Sequence, residues 1–191
     1  MLALTIRNTL RGALLAALGL TCACGASKDE PGLELAKTAE DLSCANRIPE
    51  SLTVPRENHL AFVLEGRGVQ SYACKAATDG AYAWTFVEPE AKLYGKFGKL
   101  AGHHYAGPTW EANDGSTVVG AKLASETVDA GAIPWLLLRA ASHTGRGRMS
   151  NVTFVQRLET VGGLAPTGGC DAARLGASVD VDYAALYAFY R

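Results

Sequence analysis

From Ser51 to Arg191 the chain is cut into short apolar or alternating runs, and most of the cuts are glycines, prolines or aspartate–glycine pairs. This punctuation constrains the fold more than any other feature. It leaves little room for a sustained 3.6-residue helical period, while alternation with period two fits strands that bury one face. Leu60 to Glu65 is an apolar run that ends at Gly66-Arg67-Gly68, and Val69 to Lys75 follows, up to a turn at Thr78-Asp79-Gly80. Ala81 to Val87 alternates, with Tyr82, Trp84 and Phe86 on one face, until Pro89 breaks the run. Pro108 to Asn113 and Ser116 to Leu123 flank Asp114-Gly115. Asp-Gly accepts the positive φ values of a tight two-residue hairpin, and such a turn sets Trp110 opposite Val119. Ile133 to Ser142 and Ser150 to Glu159 are two further strands, joined by Gly145-Arg146-Gly147. The last run, Val179 to Tyr190, places Val181, Tyr183, Tyr187 and Phe189 on one face. Only Leu33 to Leu42 and Asp171 to Leu175 read as helical, and both are short. The expectation is an all-β fold, either an antiparallel β-sandwich or a closed β-barrel, with short helical segments at the start and in loops. Periodicity does not choose between the two.

A chain of 191 residues with 48% hydrophobic and 19% charged residues can bury a core and is not a disordered composition. A net charge of -1 gives no basic face, so no nucleic-acid partner is expected. The first residues have the plan of an export signal: Arg7 and Arg11, then the uncharged stretch GALLAALGLTCA from Gly12 to Ala23, too short to span a bilayer. Ala23 before Cys24 fits the cleavage site of a bacterial lipoprotein, although Thr21 stands where such signals usually carry Leu. Residues 1–23 are therefore read as a signal peptide and Cys24 as the lipidated residue. Residues 24–48 are read as the lipid-anchored N-terminus and a polar tether, and residues 49–191 as a single β domain. The expected location is the membrane, through the lipid anchor. In a two-membrane bacterium it is the outer membrane or cell surface, since Gly25 and not Asp follows Cys24. Export leaves Cys44, Cys74 and Cys170 where disulfides persist; three cysteines allow three single pairings, and none has metal-ligand spacing.

The polar residues give several candidate site groups. His103, His104 and His143, with Glu111 or Asp114, could ligate zinc, copper or iron. His103 and His104, however, point to opposite faces of a strand, so His104 and His143 are the metal candidates. Their bland reading is a hydrogen bond to backbone. Gln70 shares a face with Tyr72 and Cys74, and Gln156 lies with Val152 and Phe154. Two glutamines on inward faces suggest either a lined pocket or, more blandly, side chains that satisfy each other or irregular loop backbone. Trp84, between Tyr82 and Phe86, reads as core, and Trp110, beside Glu111, Asn113 and Asp114, reads as the surface or pocket tryptophan. The candidate ligand-binding set is His104, Tyr105, Trp110, Glu111, His143 and Gln156, with His104 and His143 facing one pocket together with Trp110 or Gln156. No serine lies in G-x-S-x-G, no catalytic residue is assigned, and no cofactor is expected.

The words GVQSYACKA, AWTFVEPEAKLYG, GHHYAGPTWEANDGSTVVGAK, AIPWLLLRAASHTGRG, NVTFVQRLETVGGLAP and GCDA, in this order, resemble the DUF3455 family from about Pro49 to Tyr190. The resemblance implies no activity. Some fungal relatives carry a malate dehydrogenase label, but the chain lacks G-x-G-x-x-G between a strand and a helix, and it lacks the alternating strand–helix order of a dinucleotide fold. Cys74 and Cys170 both lie in words that match the family, whereas Cys44 does not, so the resemblance implies a Cys74–Cys170 disulfide. Two functions follow as expectations. The first is a non-enzymatic envelope protein that binds a small molecule, glycan or protein. The alternative is a metal-dependent or hydrolytic enzyme using His104, His143 and Glu111.

Overall fold

The structure is a computed structural model and describes residues 48–191. The expected signal segment, Cys24, the tether, the Leu33 to Leu42 helix and Cys44 lie outside the described residues, apart from the tether's last position. Eight strands are present among these residues: β1 (Leu60–Ala76), β2 (Tyr82–Tyr94), β3 (Leu100–Tyr105), β4 (Thr109–Ala112), β5 (Thr117–Glu126), β6 (Trp135–Thr144), β7 (Phe154–Gly162) and β8 (Ser178–Tyr190). Each pairs antiparallel with the next, and β8 returns to pair with β1, so the sheet closes into an up-and-down barrel. Closure gives the 17-residue β1 a partner on each side, β2 from Glu65 to Ala76 and β8 from Leu60 to Ala73. A sandwich would have left edge strands exposed. Among the described residues, helix is limited to single 3-10 turns at Glu50–Leu52, Lys96–Gly98 and Ala172–Arg174, the last inside the stretch read as helical.

Two expected breaks are absent, each for a packing reason. Gly66-Arg67-Gly68 does not turn the chain but runs through the middle of β1. A Cβ on Gly68 would sit 2.0 Å from the Glu90 carbonyl oxygen, and one on Gly66 2.5 Å from the Tyr187 ring. These glycines let a neighbouring strand and an aromatic ring approach the backbone. Pro89 does not end β2 either. It pairs with Gln70 of β1 next to a bulge and lies outside the β3 ladder, which starts at Ala91, so β2 has β1 as its only strand partner there.

The Asp114-Gly115 hairpin forms, with a register one residue away from the expected one. Ala112 N–H bonds the Ser116 carbonyl at 2.9 Å and Gly115 N–H bonds the Ala112 carbonyl at 2.9 Å, so the loop has three residues, with Gly115 at φ 80°. A type I turn followed by a left-handed residue adds one position to one strand. Trp110 therefore faces Val118, and Val119 faces Thr109. Asp114 fixes this end of the barrel: its carboxylate accepts from the Ser116 hydroxyl, from Arg148 N–H across 34 residues and from Ser116 N–H, and these bonds, the hydroxyl's first, hold its pKa below the usual carboxylate range.

Two apolar layers result. The interior holds Leu64, Leu93, Trp110, Val118, Leu138, Val155, Tyr187 and Phe189, with Met149 and Val152 at the Asp114 end and Ile133 at the other. Outside the wall, Leu52 packs on Trp135, Leu137, Leu158 and Leu186, so the 3-10 turn at Glu50–Leu52 seals the outer faces of β6, β7 and β8. Complete burial of Leu52 contributes about 2 kcal/mol.

The Tyr82, Trp84 and Phe86 face is common to all three rings, as expected, but it is not core. After the bulge, β2 overhangs the barrel: Tyr82 is 38% and Phe86 48% exposed, and Trp84 is half-buried with its indole N–H donating to Gly168 O at 2.8 Å. The β7–β8 connection reaches this overhang and is tied to β1 by the Cys74–Cys170 disulfide, with Cα atoms 5.3 Å apart.

Candidate functional site

The β2–β3 ladder ends at Ala91–His104, while β2 continues beyond it. The unpaired stretch opens a groove of about 310 Å³ lined by Glu88, Pro89, Glu90, Ala91, His103, His104, Tyr105 and Glu111. Strand alternation accounts for the lining. His103 pairs with Glu111 across the β3–β4 hairpin, and their neighbour Tyr105 donates its hydroxyl to Glu111 Oε2 at 2.9 Å. That bond and the Glu111 charge raise the Tyr105 pKa and keep its proton in place. Three carboxylates, two histidines and a phenol thus line the groove, while no lysine or arginine does.

His104 forms part of the floor and faces the other way. It is 3% exposed, and its Nδ1–H donates to the Thr109 carbonyl at 2.8 Å, which leaves Nε2 unprotonated in the neutral ring. The ring stacks on Trp110 at 4.6 Å and lies 5.1 Å from the Tyr187 ring. Burial pushes the His104 pKa from 6.5 down to about 4; the Thr109 bond opposes the shift and the nearby Arg157 charge adds to it. The unfolded chain therefore binds a proton at this histidine between pH 6.5 and 4 that the folded protein refuses, so the stability is complete above pH 6.5 and falls as pH drops towards 4. The expected loss by pH 4 is about 3 kcal/mol relative to His104→Asn, which lacks the titration. Urea unfolding of both proteins from pH 7.5 to 4 checks this. Parallel stability curves would rule out a buried neutral His104.

The candidate residues separate into three groups. His104, Tyr105 and Glu111 come together at the groove. Trp110 stands directly behind His104 but is 1% exposed and belongs to the core, the reverse of the sequence expectation for Trp84 and Trp110. Its carboxylate and amide neighbours, Glu111 and Asn113, mark the outer face of a strand whose inner face carries the indole. His143 and Gln156 are elsewhere. His143, near the end of β6, donates Nε2–H to Val152 O at 2.7 Å, at the end of the barrel closed by Met149 and Val152. Gln156 faces outward, not into the barrel: its Nε2 donates to Leu52 O at 2.7 Å and its Oε1 accepts from Tyr190 at 2.7 Å, which clips the leading segment to the wall. Gln70 does point inward, so the two glutamines lie on opposite sides of the sheet and do not satisfy each other. Among the described residues no three His, Cys, Asp or Glu side chains are grouped to hold a metal ion.

The sequence reading missed Glu88 and Glu90 at the groove and set aside His103, which also lines it. Glu88 and Glu90 flank Pro89, and that proline in a strand was the available signal for a β2 edge without a partner.

A family model described as "Protein of unknown function (DUF3455)" matches residues 55–191. No curated protein and no solved structure matches the chain.

Proposed function

The chain belongs to the DUF3455 family, whose description assigns no activity, and on that premise we propose that it is an exported, lipid-anchored binding module. Its ligand is a hydroxyl-rich small molecule or glycan taken up at the β2–β3 groove. The observation that supports this most is the lining. Glu88, Glu90 and Glu111 offer carboxylate oxygens as acceptors, and Tyr105, 38% exposed, offers part of its ring. Sugars and polyols present clustered hydroxyl donors and apolar C–H faces, which carboxylates and aromatic rings receive. Residues 1–23 serve export and Cys24 carries the anchor, placing the groove in the cell envelope.

The enzymatic alternative needs His104, His143 and Glu111 to act on one substrate. His104 is buried with one ring nitrogen committed to Thr109, and His143 is held by Val152 O, so the groove contains Glu111 without a poised pair of histidines.

Native mass spectrometry of the protein extracted from membranes tests the proposal. The expected species begins at a diacylated Cys24 and carries an additional noncovalent mass of a hydroxyl-rich compound, which Glu111→Gln diminishes. A protein found only in the soluble fraction with residues 1–23 attached would refute the anchor. No ligand mass, and no binding from a panel of sugars and polyols, would refute the binding role.

A further inference from the structure

The interior of the barrel holds a cation that no carboxylate among the described residues balances. Arg157 of β7 lies between Leu136 of β6 and Tyr187 of β8, on the inward face. Its Nε and Nη2 both donate to the Pro134 carbonyl, at 3.0 and 2.8 Å. The charged neighbours a guanidinium normally seeks are absent among the described residues. The groups around it are the hydroxyls of Tyr72, Tyr183 and Tyr187. An arginine stays protonated even when burial lowers its pKa, so this end of the barrel carries a standing positive charge.

Around that charge, one buried donor lacks a well-placed acceptor. Gln70 is 3% exposed, and its Nε2 makes no hydrogen bond of good geometry, only a weak contact with the Tyr183 hydroxyl. The Tyr183 and Tyr187 hydroxyls bond each other at 3.1 Å, so only one of their two protons is used within the pair. Tyr72 spends its own proton on Gly163 O at 2.6 Å. Buried polar groups in folded proteins are ordinarily satisfied, and an orphaned donor beside an unbalanced cation marks a place for an acceptor. Arg157 also retains partial solvent exposure although it faces inward, so water reaches part of its side chain at this end of the barrel.

We infer that the disulfide-bearing end of the barrel binds a small monocarboxylate, with Arg157 as its counter-charge and with the Gln70 amide and the one uncommitted hydroxyl of the Tyr183–Tyr187 pair as neutral donors. One positive charge matches a monovalent anion. A doubly charged phosphate would leave a negative charge buried without compensation. Aromatic walls favour an anion whose remainder is apolar. This site is separate from the acidic groove, which repels the same ligand.

The test is thermal unfolding at constant ionic strength with acetate and benzoate as probes, set against the uncharged acetamide and benzamide. The expected result is a saturable rise in Tm with the carboxylates and none with the amides. Arg157→Gln should weaken carboxylate binding at least about tenfold, since a buried ionic hydrogen bond is lost. If Arg157→Gln does not fold, Gln70→Met decides, because it removes an amide N–H that the fold does not use. Its expected effect is about a threefold or larger loss of carboxylate affinity with an unchanged or higher Tm in the absence of ligand. Equal shifts with amides and carboxylates, undiminished carboxylate binding in Gln70→Met, or no shift with any probe (the outcome if water alone fills the space) would each overturn the inference.

Discussion

Trp110→Ala is expected to lower the unfolding free energy by about 3–5 kcal/mol, the range for removing a large aromatic side chain from a packed core. Trp110 is 1% exposed, stacks on His104, and meets Tyr187 and Phe189 edge-on with centroids 5.5 and 6.1 Å away. Few neighbours could collapse into the space. β3 and β4 are short, and a Cβ on Gly120 behind the indole would already lie 2.9 Å from the ring, so this wall was shaped around it. One term acts in the opposite sense. The indole N–H has no hydrogen-bond partner, and its removal returns about 1 kcal/mol of desolvation cost. The lost packing exceeds that several-fold. Urea unfolding at pH 7.5, where His104 is neutral in both states, measures the difference. A loss below about 1 kcal/mol would show that Trp110 does not fill the barrel.

Replacing Cys74 and Cys170 together by alanine is expected to cost about 4 kcal/mol and to lower Tm by about 10 °C. The two residues are 96 apart in sequence, so the bond closes a long loop and removes much conformational freedom from the unfolded chain. Native contacts around it are modest: the β7–β8 connection it secures is mostly exposed and otherwise held by the Trp84–Gly168 bond and by backbone bonds of Cys74 to Ala177 and Gly176. The effect should therefore appear in the global transition and also as faster proteolysis within that connection. Differential scanning calorimetry, with peptide mapping under non-reducing conditions, decides. Equal Tm for the oxidised and double-alanine proteins, or Cys44 joined to either partner, would contradict the pairing.

What the sequence determined by itself was local. Period-two alternation fixed the β class and placed Tyr183, Tyr187 and Phe189 on one face, because side-chain direction in a strand depends only on position parity. Asp114-Gly115 located a hairpin, because few other dipeptides take up that backbone geometry. Neither signal carries distance information. Parity could not say which face of β2 would be covered once the strand outran its neighbours, so Trp84 and Trp110 exchanged roles. The one-residue register difference at Gly115 followed from turn type, which Asp-Gly allows in more than one form. Gly66-Arg67-Gly68 reads as a turn until the Glu90 carbonyl and the Tyr187 ring are seen against it, and both lie on strands far along the chain. The groove and the Arg157 cluster belong to the same category. His104, Tyr105 and Glu111 were legible because one hairpin brings them together, whereas Glu88 and Glu90 join only where the β2–β3 ladder stops. Arg157 meets Tyr183 and Tyr187 through the β7–β8 pairing, and Tyr72 of β1 joins them only because β8 closes onto β1. Closure of the barrel was decided by long-range pairing of strands, since the energy of an edge depends on what lies across it and not on its own residues.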